Sequence, residues 1–233
     1  MTAPKFSTAL IVGAGSGLSA ALARSFSGAG MKVALAARRV DKLAALCAQT
    51  GAQAFACDAT QRADVERLFG VVDDRIGALD VVVFNASYRV RGPIVDLDAT
   101  EVERTLMVSA LGGFLVAQAA ARRMAPRRHG AILFTGASAS TKGYAQSAPF
   151  AMAKFALRGL AQSMARELAP QGVHVAHFVI DGGIRSESRV APPDSPDSLL
   201  DPDAIAASYL HLLTQPRSAW SWEIELRPWV ERF

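Results

Sequence analysis

The chain has 233 residues, 51% hydrophobic and 20% charged, with a formal net charge of +4, a composition that excludes a disordered polypeptide. The length admits one large α/β core or two small ones, and no break divides it, so a single domain over 1–233 is expected. No apolar leader precedes Thr8 and no apolar run approaches a membrane span, which sets the expectation of a soluble, cytoplasmic protein.

Short apolar runs alternate with longer stretches of Ala, Leu, Arg and Met. In chain order, strands are predicted at Thr8 to Val12, Lys32 to Ala36, Ala52 to Ala56, Asp80 to Phe84, Ala131 to Thr135 and Val173 to Ile180. Helices are predicted at Leu18 to Ser27, Asp41 to Gln49, Ala63 to Phe69, Thr100 to Met124 and Pro149 to Leu168. This alternation calls for a doubly wound parallel sheet with helices on both faces. The segment Arg185 to Ser198, with Pro192, Pro193 and Pro196 and no apolar period, reads as a loop beside a strand end and a candidate lid. A helix from Pro202 to Leu213 and a strand around Trp222 to Leu226 complete the sheet.

The basic residues fall in scattered pairs such as Arg122-Arg123 and Arg127-Arg128, not in a stripe, so nucleic acid is not an expected partner, whereas an anionic small molecule is compatible. Cys47 and Cys57 have no metal-ligand spacing and read as buried free thiols. His174 and His177, three apart on a strand, face opposite sides of it, and His129 and His211 sit at helix ends; no metal site is expected.

Gly13-Ala14-Gly15-Ser16-Gly17-Leu18 follows the first strand and opens the first helix, where glycines let a pyrophosphate approach the backbone at a helix N-terminus. The second strand ends in Arg38-Arg39 where a dinucleotide fold that binds NAD carries an acid about twenty residues after the glycines. Guanidinium groups there suit a 2′-phosphate, which favours NADP over NAD; the plain alternative is a solvated basic helix start. Asp58, after the third strand, is placed either to accept from an adenine amine or to cap the following helix.

Taken in order, these motifs resemble the classical short-chain dehydrogenase/reductase family from Thr8 to about Ser186. The glycine loop is similar to that family's Thr-Gly-x-x-x-Gly-x-Gly turn, with Ser19 at the third glycine. Cys57-Asp58-Ala59-Thr60 resembles its adenine-contacting segment, Phe84-Asn85-Ala86-Ser87 its Asn-Asn-Ala-Gly, and Gly182 and Ile184 its nicotinamide-contacting turn, with Asp181 in place of proline. The resemblance implies a three-layer αβα Rossmann fold, an NADP cofactor bound by these residues, a small-molecule carbonyl or alcohol substrate, and assembly as a homodimer or homotetramer through the Thr100 to Met124 and Pro149 to Leu168 helices.

The resemblance also implies an Asn-Ser-Tyr-Lys catalytic group, and here the chain departs from it. Lys154 remains. The tyrosine position, four residues earlier on the same helix face, is Phe150; the asparagine position is Ser109; the serine position falls on Ala137, with Ser138 next to it as the candidate substrate contact. A phenyl ring donates no proton. Losing a positioned general acid costs about 10²–10⁴-fold, whereas positioning of reactants contributes effective molarities of about 10⁵ M or more, so reductase activity survives such a loss in principle. Three substitutes for the acid are open: Tyr144 from the preceding loop, which otherwise is an ordinary loop aromatic; Lys154 with its pKa lowered by burial; or the substrate itself. The rival reading is a catalytically silent NADP(H)-binding sensor or structural subunit. Trp220, Trp222 and Trp229 near the C-terminus suit a sheet edge or subunit contact.

Overall fold

The computed structural model describes residues 6–231. The elements run β1 (Thr8–Val12), α1 (Leu18–Gly28), β2 (Lys32–Ala37), α2 (Ala44–Thr50), β3 (Gln53–Ala56), α3 (Arg62–Arg75), β4 (Val81–Phe84), α4 (Ala99–Leu106), α5 (Gly112–Arg127), β5 (Gly130–Thr135), α6 (Ala148–Leu168), β6 (Val173–Ile180), α7 (Pro202–Leu213) and β7 (Glu223–Leu226). All strand pairs are parallel, in the order β3-β2-β1-β4-β5-β6-β7. Every residue of β1, β4, β5 and β6 is buried, as a sheet covered on both faces requires. Leu10, Val82, Ile132 and Phe134 face α3, α5 and α6, while Ile11, Val83, Leu133 and Phe178 face α1 and α7. The strand order reverses between β1 and β4, so the crevice at their C-terminal ends is where an open sheet of this kind takes a ligand.

Several predicted boundaries shift. The Thr100 to Met124 helix begins at Ala99, ends at Arg127 and is broken by a π turn over Met107–Leu111 that centres on buried Ser109. By length and apolarity this 29-residue helix is able to cross a membrane, which corrects the expectation that no run approaches a span. Half of its apolar window is buried inside the protein, with Leu115, Val116, Ala120 and Met124 packed in the core, so it serves as a core helix. The third helix continues past Phe69 to Arg75 because Val72 extends its apolar face. Cys57 is buried, and burial with nearby Asp64 pushes its thiol up to about 11, but Cys47 is only half-buried, correcting the reading of two buried thiols.

Buried and half-buried polar groups are tied across long sequence distances. Arg158 of α6 forks onto both oxygens of Glu223 on β7, at 2.6 and 2.7 Å, and Glu223 accepts from His177 Nδ1 at 3.0 Å. Burial pushes Glu223 up, but Arg158 and His177 outweigh it and hold the carboxyl below its ordinary value; burial takes His177 down to about 4, leaving it neutral. His174 faces the other way, stacked on Trp220 at 4.5 Å and bonded to the Ser221 carbonyl, so the two histidines do point to opposite faces.

Gly13 has φ +88°, and a methyl group there would lie 2.3 Å from the amide nitrogen of Ala86. Nothing lies within 4 Å of the corresponding points on Gly15 and Gly17. Gly13→Ala is therefore expected to lower unfolding free energy by at least about 2 kcal/mol in urea titrations, whereas Gly15→Ala should stay within about 0.5 kcal/mol of the parent. Equal effects would contradict this division of labour.

Candidate active site

The Gly13–Gly17 turn is fixed from below and open above. Gly13 and Ala14 donate their amides to the Ala36 carbonyl, both at 3.0 Å. Gly17 caps α1 without any side-chain hydrogen bond, leaving the positive end of the helix open to an anion. The open space over Gly15 and Gly17, which a Cβ would occupy, is the shape a pyrophosphate cradle requires, and the residues present fit a dinucleotide. Ser19 accounts for its presence at a glycine position: its hydroxyl donates to the Gly13 carbonyl at 3.0 Å and accepts from the Asn85 amide at 2.7 Å, locking the cradle to the end of β4. Asn85 thus spends its side chain on the scaffold, with Ala86 beside it against Gly13.

Arg38 and Arg39 stand exposed beyond the tip of β2, without an ion-pair partner among the described residues. Asp58 does not cap α3, which corrects that alternative: its Oδ1 accepts from the Thr60 amide and hydroxyl at 3.0 and 2.8 Å, and the helix starts only after Gln61.

At the C-terminal ends of β5 and β6 a cleft of about 460 Å³ opens, lined by Ser138, Tyr144, Phe150, Gly182 and Ile184 among others. That volume suits a small ligand. Tyr144 stands at the wall of the cleft, 46% exposed. Ser138 faces the cleft, whereas Ser140 is turned inward and accepts from the Ala137 amide at 3.1 Å. Ser109 lies away from the cleft wall; its buried hydroxyl accepts from the Tyr88 amide at 3.0 Å and so supports the loop after β4. Gly182, at φ +149°, has Pro228 packed 2.7 Å from where a Cβ would stand.

Lys154 is 2% exposed, four residues from Phe150 on α6, with its Nζ 5.7 Å from the Phe150 ring centre. It donates one hydrogen bond, to the Thr135 carbonyl at 2.8 Å, and no carboxylate pairs with it among the described residues. Two ammonium protons stay available for a ligand.

Sequence reasoning missed three wall residues, Arg89, Arg91 and Ser147, and reached Arg189 only as part of the Arg185 to Ser198 candidate lid. Arg89, Arg91 and Arg189 come from two loops and line the cleft together, and Ser147, one helical turn before Phe150, has a buried hydroxyl without a hydrogen-bond partner. No spacing rule reveals the arginines; Ser147 was legible only as the residue before the α6 N-terminus. Asp181, just before Gly182, is 1% exposed and pairs with Lys142 at 3.0 Å and Arg227 at 3.6 Å.

Burial without a counter-charge brings Lys154 from its ordinary 10.5 down to about 8. Between those values the unfolded chain binds the proton and the folded chain does not, so folding is penalised fully below pH 8 and the penalty fades as pH rises towards 10.5. Relative to Lys154→Met, the parent's stability is expected to rise by about 3 kcal/mol across this window, measured by urea unfolding of both proteins without cofactor. A pH-independent difference would contradict an uncompensated buried ammonium.

The model of the family described as short chain dehydrogenase matches residues 7–191. An uncharacterized oxidoreductase of Staphylococcus aureus strain N315 is 30% identical over 223 residues, covering 94% of this chain and 96% of its own. The crystal structure of a short-chain dehydrogenase from Rhodopseudomonas palustris superposes with a TM-score of 0.84 at 34% identity, covering 97% of this chain and 100% of that one. A metagenomic short-chain oxidoreductase, solved in complex with NADP, superposes at 0.82 with 27% identity, covering 95% and 97%. The seven-stranded parallel sheet flanked by helices agrees with these likenesses: the chain belongs to the short-chain dehydrogenase family of oxidoreductases.

Proposed function

We propose that this protein is an NADP-dependent oxidoreductase acting on a carbonyl/alcohol pair, with proton handling that does not pass through a tyrosine. The observation that carries the reading is the open space over Gly15 and Gly17 at the start of α1, which follows β1, together with Arg38 and Arg39 just past the end of the paired strand β2. Gly13, Ser16 and Leu18 complete the turn, and the arginines read a 2′-phosphate. Asp58 meets the adenine side, while Ala86, Gly182 and Ile184 bound the nicotinamide side, with Asn85 holding the turn through Ser19. The cofactor, when bound, supplies or takes the hydride.

The chain's own residues do the rest. Lys154 holds the ribose with one of its two available protons, and the pKa lowered to about 8 lets it pass on the other. Ser138 orients the substrate oxygen, Ser109 acts by supporting the loop after β4, and Phe150 shields Lys154 from water without donating anything. A proton for the nascent alkoxide therefore comes from Lys154 or a water beside it. In the solution assembly, exposed Phe114 on α5 and Met152 and Phe155 on α6 provide the apolar face for a homodimer or homotetramer. Light scattering that returns a monomer would exclude that part.

Fluorescence titration is expected to show NADPH binding at least tenfold tighter than NADH, and an Arg38→Gln/Arg39→Gln double variant should lose that preference; tighter NADH binding overturns the cofactor assignment. Phe150→Tyr is expected to raise kcat on a reducible carbonyl by about 10²-fold or more, because it restores a donor at the ring position. No gain across a carbonyl panel would show that the site is not a tyrosine site lacking one hydroxyl.

A further inference from the structure

Elsewhere in this fold, arginines that meet another chain segment mostly find a carboxylate: Arg24 meets Asp203, Arg123 meets Asp73, Arg158 meets Glu223 and Arg185 meets Asp201. The cleft departs from that pattern. Arg89, Arg91 and Arg189 line one wall together, and no acidic group lies within ion-pair distance of any of them among the described residues. Glu231 also borders the cleft, yet it forms no ion pair with them. Partial burial and then the charges of Arg91 and Arg189 lower the Arg89 pKa, so Arg89 is repelled by both of its neighbours in the free protein.

The cluster is built rather than incidental. The loop bearing Arg89 and Arg91 is held at both ends, by the Tyr88 amide donating to Ser109 Oγ at 3.0 Å and by the Gly92 amide donating to the Gln146 carbonyl at 3.1 Å. Arg89 lies over the face of Phe150, its guanidinium carbon 5.1 Å from the ring centre. Arg189 closes a tight turn through paired backbone bonds with Ser186 and lies over Gly183, where its Nη1 is 3.2 Å from the position of a Cβ. The base of that segment is pinned by the Ile184 to Leu200 bridge. Ser147 lines the same cleft, and its buried hydroxyl has no hydrogen-bond partner among the described residues.

We propose that the substrate is a small carbonyl or alcohol compound carrying an anionic group, a carboxylate or a phosphate, and that Arg89, Arg91 and Arg189 bind that group with Ser147 as a neutral donor beside it. The assignment rests on the oxidoreductase reading and names its substrate class. Three convergent forks supply more donors than one carboxylate needs, and a guanidinium pair meets such an anion bidentately. Relief of the mutual repulsion adds to the preference for a negative ligand over a neutral one of the same shape.

Calorimetric titration of the full chain, with and without NADPH, compares a 2-oxo acid, its methyl ester and a phosphorylated hydroxyketone. The acid or the phosphate is expected to bind at least tenfold more tightly than the ester, and whichever binds more tightly identifies the anion. Arg89→Gln and Arg189→Gln should each remove at least tenfold of that affinity while melting temperature and NADPH affinity stay at parental values. The proposal is overturned if ester and anions bind alike, if both variants bind the anions as the parent does, or if the variants lose NADPH in parallel, which would assign the arginines to the cofactor. Anion discrimination in a protein that binds NADPH but oxidises none of it would keep this site and sink the redox reading alone.

Discussion

Where β1 and β4 part, the Gly13 turn lies so close to the Ala86 backbone that no side chain fits between them. The contact brings the start of α1 against the end of β4, and the Ser19 hydroxyl secures it by bonding to Gly13 and Asn85 at once. Because every strand is parallel, the same rim of the sheet receives the loops after β4, β5 and β6, so the cradle and the cleft open side by side. A sheet covered on both faces leaves little other surface where loop side chains can converge on a ligand.

Around the cleft, charge is distributed unevenly with depth. Lys154 is buried without a carboxylate, Asp181 is buried with two cations, and three arginines crowd the mouth. Phe150 stands between two of these layers, with Arg89 on its face and the Lys154 ammonium 5.7 Å from its centre. The ring is therefore shared by two positive groups. A benzene quadrupole accepts cations on its faces, so the position serves electrostatics although a phenyl ring has no acidic proton.

The sheet was largely legible in the residues, because Thr8–Val12, Val81–Phe84 and Val173–Ile180 are apolar runs of strand length bounded by turns. The Pro202–Leu213 helix was equally clear, with a proline at its start and an aspartate before it. The π turn at Met107–Leu111 was not, since one extra backbone residue in a turn leaves the apolar pattern nearly unchanged. In the site, the glycine turn and Lys154 announce themselves by local spacing. Ion pairs such as Arg158 with Glu223, 65 residues apart, and the meeting of Arg89 with Arg189 depend on tertiary placement, which no local period encodes. Ser19 and Ser109 look like losses against a family motif, yet each hydroxyl ties one loop to another.

Thr135, the last residue of β5, reaches both layers of the molecule. Its carbonyl oxygen accepts from Lys154 of α6, and its hydroxyl bonds at 2.9 Å to Tyr209 of α7, which stacks on Phe178 behind the sheet. One residue thus threads the sheet like a rivet. The buried Lys154 ammonium is registered through it against a helix on the far side, so sequence drift in α7 carries over into how that cation is held behind Phe150.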